Sequence, residues 1–145
     1  MSKEIDSLSE LKTFAEEFLR EHPHGAVVGL SGPLGAGKTT LVRLIIEILA
    51  AKNNQTAPAV RSPSFVLHQS YPEIKPPIEH FDFYRLENIS VPDLATLGYE
   101  EAVERARAHK GFVFVEWPEK AAKMDSLMLD RMLTIGLSGD SRTIL

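Results

Sequence analysis

Apolar residues recur at helical spacing from Ser7 to Arg20, where Leu8, Leu11, Phe14, Ala15, Phe18 and Leu19 share one face. That pattern predicts an amphipathic helix, capped by Asp6, Ser7 or Ser9 and ended by His22-Pro23-His24-Gly25. Ala26 to Leu30 is short and apolar throughout, the pattern of a buried strand. Thr40 to Ala51 carries Leu41, Val42, Leu44, Ile45, Ile46, Ile48 and Leu49, so it is a helix apolar on most sides, as expected beneath a sheet. Lys52 to Val60 is polar, contains Pro58 and reads as a loop.

Val66 to Tyr71 and Ile78 to Tyr84 both have strand character. The three-proline turn Pro72 to Pro77 lies between them, and the two could pair as a hairpin. Ser90 or Pro92 opens a short helical stretch, and Gly98 to His109 forms another, with Tyr99, Ala102, Val103 and Ala106 as its apolar face. After Gly111, Phe112 to Val115 is a fully apolar strand with Glu116 at its C-terminal end. Leu127 to Leu137 alternates weakly, Arg142 to Leu145 is a further strand candidate, and Gly139-Asp140 is the turn between them. The 145 residues favour one domain over 1–145, with no repeat or linker.

Composition narrows the function. Sixteen basic against twenty acidic residues give a net charge of −4, which argues against a dedicated nucleic-acid-binding surface. With no cysteine there is neither a disulfide framework nor thiol catalysis. The polar start Met1-Ser2-Lys3-Glu4 has no apolar signal core, and no apolar run approaches the roughly 20 residues of a membrane span. The expectation is a soluble, cytoplasmic protein.

The chemistry lies between the first strand and the apolar helix. Gly32 to Thr39 reads Gly-Pro-Leu-Gly-Ala-Gly-Lys-Thr, the phosphate-loop pattern of a glycine, four free positions and Gly-Lys-[Ser/Thr]. A triphosphate concentrates negative charge in a small volume. A loop that wraps it must turn tightly and aim backbone N–H groups inward, which Gly32, Gly35 and Gly37 permit. Lys38 supplies a cation for the outer phosphates, the Thr39 hydroxyl is a ligand for Mg²⁺, and the helix N-terminus faces the same anion.

Such a loop needs a carboxylate on the metal side and usually one that orients water, both at the C-terminal ends of neighbouring strands. Glu116, ending the run Phe112 to Val115, fits the first role. Asp82, flanked by apolar residues in Phe81-Asp82-Phe83-Tyr84, is a functional carboxylate or a strand-end charge that meets solvent. His80 reads as a satisfied strand residue rather than a base. Arg85 reaches phosphate or makes a surface ion pair, Trp117 borders the nucleotide or is a half-buried turn residue, and Ser64 is a switch hydroxyl or the start of a strand. His22 and His24 lack a third ligand nearby and read as a solvated turn.

The order of these motifs resembles one family. Leu34 to Arg43, Ser62-Pro63-Ser64-Phe65, His80 to Leu86, Leu97-Gly98-Tyr99-Glu100-Glu101 and Glu116-Trp117-Pro118-Glu119 follow the pattern of the bacterial TsaE (YjeE) family, from the first helix to near the C-terminus. The phosphate loop is shared by many families; His-Phe-Asp-x-Tyr-Arg and Glu-Trp-Pro are far more specific. The resemblance implies an α/β P-loop fold, a central parallel sheet flanked by antiparallel strands and helices. It implies an ATP- and Mg²⁺-dependent ATPase that acts with TsaD and TsaB in threonylcarbamoyladenosine modification of tRNA, meeting tRNA only through that complex and no membrane.

Carried over by position, the nucleotide set is Gly32, Leu34, Gly35, Ala36, Gly37, Lys38, Thr39 and Thr40, with Trp117 and Glu119 near the nucleotide. Thr39 and Glu116 are metal ligands, and Asp82 joins Glu116 and Lys38 as catalytic. Ser62 to Phe65 matches a switch-like segment, although Ser64 stands where the family usually has threonine. A small-molecule kinase and a non-hydrolysing nucleotide-gated module are the other classes that the phosphate loop admits. The stretch Asn88 to Lys110 is short for a kinase lid and acceptor pocket, and a GTPase would need an Asn-Lys-x-Asp run that this chain lacks.

Overall fold

Three runs that carry no exposed position become the middle of one sheet. They are β2 (Ala26–Ser31), β4 (Ile78–Asp82) and β5 (Phe112–Glu116) in the computed structural model, which describes residues 2–60 and 67–145. β5 lies between β2 and β4, parallel to both, and β2 is also parallel to β6 (Arg131–Ser138). Strands inside a parallel sheet are covered on both faces, which favours apolar side chains at consecutive rather than alternate positions; β4 departs from this at Glu79, His80 and Asp82.

The sheet has seven strands in the order β1-β7-β6-β2-β5-β4-β3. Its margins are antiparallel: β3 (His68–Tyr71) pairs with β4 on one side. On the other, β7 (Ser141–Ile144) pairs with β6, and β1 (Lys3–Ile5) pairs with β7. The expected parallel centre with antiparallel flanks is therefore present. Four helices complete the fold: α1 (Leu8–Glu21), α2 (Lys38–Lys52), α3 (Val91–Leu97) and α4 (Tyr99–Ala108).

Side-chain alternation along the central strands separates two cores. Val28, Phe112, Phe114 and Ile78 pack with Phe14 and Phe18 of α1 and Ile45 of α2. Val27, Phe81, Val113 and Val115 pack on the opposite face with Leu94 of α3 and with Tyr99 and Val103 of α4. Ser7 caps α1, its Oγ accepting from Glu10 N–H. Ser90 and Asp93 exchange hydrogen bonds in a capping box that opens α3, and Gly98, at φ 73°, ends α3 and begins α4.

Several elements differ from the sequence pattern, and β4 ends at Asp82 rather than Tyr84. The helix after the phosphate loop starts at Lys38 rather than Thr40, which puts the lysine in its first turn. β1 is a strand that the pattern at the polar N-terminus does not signal; it exists through its pairing with β7. The weak alternation from Leu127 becomes strand only at Arg131. Met124–Leu127 form a 3₁₀ turn and Met128 takes φ 56°. Asp130 then clamps the start of β6 to β2, its carboxylate accepting from Val27 N–H at 2.8 Å and its own N–H donating to Val27 O at 2.7 Å. The segment with Ser62 to Phe65, including Ser64, and the first residue of the run Val66 to Tyr71 lie outside the described residues.

One buried carboxylate belongs to the fold rather than to the phosphate loop. Glu79 of β4 faces α4 and accepts from His68 at 2.7 Å, Ser70 at 2.7 Å and Arg105 at 3.0 Å. Burial alone would raise its pKa, but the three hydrogen bonds outweigh burial and hold it below 4.5. A carboxylate with a lowered folded pKa stabilises the fold fully above its unfolded pKa and loses that contribution as pH falls through the folded value. Glu79→Gln is therefore expected to flatten the acid limb of a plot of melting temperature against pH below about pH 4.5. An unchanged acid limb would remove Glu79 from the pH dependence.

Candidate nucleotide site

β2 ends at Ser31 and α2 begins at Lys38, so the phosphate loop spans the gap at the C-terminal edge of the sheet. β4 and β5 end beside it in register, with Asp82 opposite Glu116. A cavity of about 210 Å³ opens there, with Leu34, Lys38, Thr39, Asp82, Glu116 and Trp117 in its wall. Gly35, Gly37 and Thr40 also line it, as does Tyr84. Ligand sites in open α/β sheets lie outside the carboxyl ends of the strands, where this cavity lies.

Charge is concentrated here. Lys38, His80, Asp82 and Glu116 are all buried; the other buried acidic or basic side chain among the described residues is Glu79. Desolvation lowers the pKa of Lys38, opposed by the charges of Glu116, Asp82 and Glu119. Its ammonium donates to the carbonyls of Gly32 and Pro33 and lies 4.5 Å from the centre of the Trp117 ring. Trp117 reaches that position from φ 60°, a left-handed conformation rarely adopted by a bulky residue. Its ring packs at 5.1 Å on Tyr84, so two aromatic side chains border the cavity.

The metal-side pair is already in contact: Thr39 Oγ1 donates to Glu116 Oε2 at 2.8 Å. The same oxygen lies 2.6 Å from His80 Nε2. Asp82 Oδ1 accepts from Tyr84 N–H at 2.9 Å, which fixes that carboxylate at the cavity wall. Hard oxygen donors next to a phosphate loop fit Mg²⁺, which binds through one or two protein oxygens and completes its shell with phosphate and water. No group of three or more His, Cys, Asp or Glu residues could hold a metal alone among the described residues, so the donor set suits a metal that arrives with phosphate.

Other predicted positions serve the loop from outside the cavity wall. Ala36 is buried in the core beneath it. Gly32 passes close to the backbone of β6, where a Cβ would meet Ile135 O at 2.3 Å. Glu119 accepts from Ser31 Oγ at 2.6 Å and acts on Lys38 through its charge. Two contributors were given no site role from the sequence, although Tyr84 stands in the His-Phe-Asp-x-Tyr-Arg motif. Tyr84 lines the cavity, and Arg142 of β7 donates to the loop carbonyls of Ala36 at 3.1 Å and Gly35 at 3.3 Å. Holding carbonyls from behind leaves the loop's N–H groups to face the opening. Tyr84 could have been found from its place two residues after Asp82; Arg142 had no local signal.

Comparison with known proteins gives the family. The profile of the family described as "Threonylcarbamoyl adenosine biosynthesis protein TsaE" matches residues 5–144. A Nostoc protein named tRNA threonylcarbamoyladenosine biosynthesis protein TsaE is 39% identical over 115 residues, covering 79% of this chain and 66% of the Nostoc protein. The Aquifex aeolicus protein of the same name is 36% identical over 128 residues, covering 87% of this chain and 84% of its own. The crystal structure of Bacillus subtilis YdiB superimposes with a TM-score of 0.65 at 23% identity, covering 99% of this chain and 82% of that one, which is a likeness of fold. No helix among the described residues is long and apolar enough to cross a membrane.

Proposed function

The chain belongs to the TsaE family, and from that premise we propose that it is a Mg²⁺-dependent ATPase subunit acting with TsaD and TsaB in threonylcarbamoyladenosine modification of tRNA. The observation that carries the ATPase part is the 2.8 Å bond between Thr39 and Glu116 in the wall of a cavity that also holds Lys38 and Asp82. Loop amides and Lys38 bind the phosphates, and Trp117 and Tyr84 close one side against water. Thr39 and Glu116 would hold Mg²⁺, which would supply positive charge to the transferred phosphoryl group. Asp82 accepts a hydrogen bond from the attacking water and turns a lone pair towards the phosphorus. The charges of Glu116, Asp82 and Glu119 oppose the lowering of the Lys38 pKa by burial. The excess of acidic residues agrees with a subunit that leaves tRNA contact to its partners, and a cytoplasmic location is part of the proposal.

The test is steady-state ATP hydrolysis with the protein alone and with the TsaD–TsaB pair from the same source. Turnover that rises with the pair is the expected result. Turnover indifferent to the pair but raised by a small hydroxylated acceptor would make the protein a kinase instead. Nucleotide-dependent binding to the pair with no hydrolysis would make it a nucleotide-gated module.

A further inference from the structure

His80 is wholly buried, makes one short bond inside the site and has no role in the reading above. We propose that His80 is a positioning residue that fixes the carboxylate of Glu116 for the metal side of the nucleotide. The role rests on the ATPase reading for its consequence in Mg²⁺ binding and on the hydrogen bond alone for its geometry.

Strand alternation places it. Ile78, His80 and Asp82 share the face of β4 turned towards α2, and β4 runs in register with β5, so His80 lies opposite Phe114 and one pleat before Glu116. His80 is absent from the cavity wall, which excludes it as a base acting on nucleotide or water. Its reach ends at Glu116 Oε2, 2.6 Å from Nε2. A carboxylate accepts only, so Nε2 carries a proton and donates. Thr39 Oγ1–H donates to the same Oε2, whereas neither bond involves Oε1.

Two donors on one oxygen do what one cannot. They fix the plane of the carboxylate and direct the Thr39 proton towards Glu116, which turns the hydroxyl's lone pairs elsewhere. The imidazole also carries a cost, since Nδ1 is buried without a partner among the described residues. A leucine or phenylalanine would fill this core position without that orphan, so packing alone does not account for a histidine here. The bond to Glu116 is what the imidazole supplies and an apolar residue cannot.

The experiment uses the full chain and measures ADP binding with Mg²⁺ and with EDTA, and Mn²⁺ binding to the ADP complex by electron paramagnetic resonance. His80→Leu removes the donor. His80→Gln keeps an N–H near the place of Nε2. His80→Leu is expected to weaken metal-dependent ADP binding and Mn²⁺ binding about tenfold, with ADP binding in EDTA unchanged and with His80→Gln restoring most of the loss. An unaffected His80→Leu, or a His80→Gln no better than it, overturns the role.

A second measurement holds even if His80→Leu does not fold. Nitrogen-15 spectra of the wild type should show His80 as the Nε2–H tautomer, with a downfield proton that moves upfield in Glu116→Ala. The Nδ1–H tautomer would overturn the assignment. Wild-type ADP binding that ignores Mg²⁺ overturns the ATPase reading and this role with it; a Mg²⁺-dependent wild type beside an unaffected His80→Leu overturns this role alone.

Discussion

Lys38→Ala is expected to lower ATP turnover by at least about 100-fold, the scale of losing a preorganised charge aimed at the transition state. Lys38 is the only basic residue in the cavity wall among the described residues, so no neighbour can replace its charge. Its position is set twice, by the first turn of α2 and by the Trp117 ring beneath the ammonium. The melting temperature should also fall, because the variant leaves the buried carboxylates of Glu116 and Asp82 and the carbonyls of Gly32 and Pro33 without the ammonium. ATP turnover and nucleotide affinity, measured beside a thermal melt, separate the two effects. A variant that folds and hydrolyses ATP at the wild-type rate would remove the phosphate-loop assignment.

Gly32→Ala is expected to damage both fold and site, with about 3 kcal/mol lost and the melting temperature lowered by about 10 °C. Two independent causes combine. Gly32 holds φ 148°, a conformation that an L-residue adopts with strain. Its missing Cβ would lie 2.3 Å from Ile135 O, and that carbonyl belongs to β6, held between β2 and β7. Neither backbone can yield without disturbing the sheet, so the loop must move off β6 and carry its amides with it. Gly35→Ala is the control. It shares a positive φ, 78°, but its Cβ would meet no protein atom within 4 Å, so about 1–2 kcal/mol of strain is the expected loss of fold stability. Thermal melts and ADP titrations of the two variants check the difference. Equal losses would show that the approach to β6 does not matter.

Much of the site was legible because its parts are local. The phosphate loop is eight consecutive residues, and its strand and helix are the segments on either side. Glu116 could be picked out because a charge after four apolar residues marks the end of a buried strand. His80 was read as a satisfied strand residue; it lies in β4, but only Nε2 is bonded and Nδ1 has no partner among the described residues. Its partner Glu116 is 36 residues away, so nothing in its neighbourhood named the bond. Arg142 was illegible for the same reason, since it meets the loop across more than 100 residues. β1 was missed because three residues at a polar terminus carry no period of their own.

The sequence by itself determined the segment types and the chemistry of the loop. Apolar spacing and glycine placement act over one or two turns, and the nearest residues satisfy them. Tertiary structure alone decided that Asp82 and Glu116 stand side by side, that Thr39 and His80 converge on one carboxylate oxygen, and that β6 and β7 support the loop from behind. Those contacts depend on strand order and register. Order and register are set by how the two apolar faces of the sheet are covered by helices, a balance over the whole chain that no single stretch encodes.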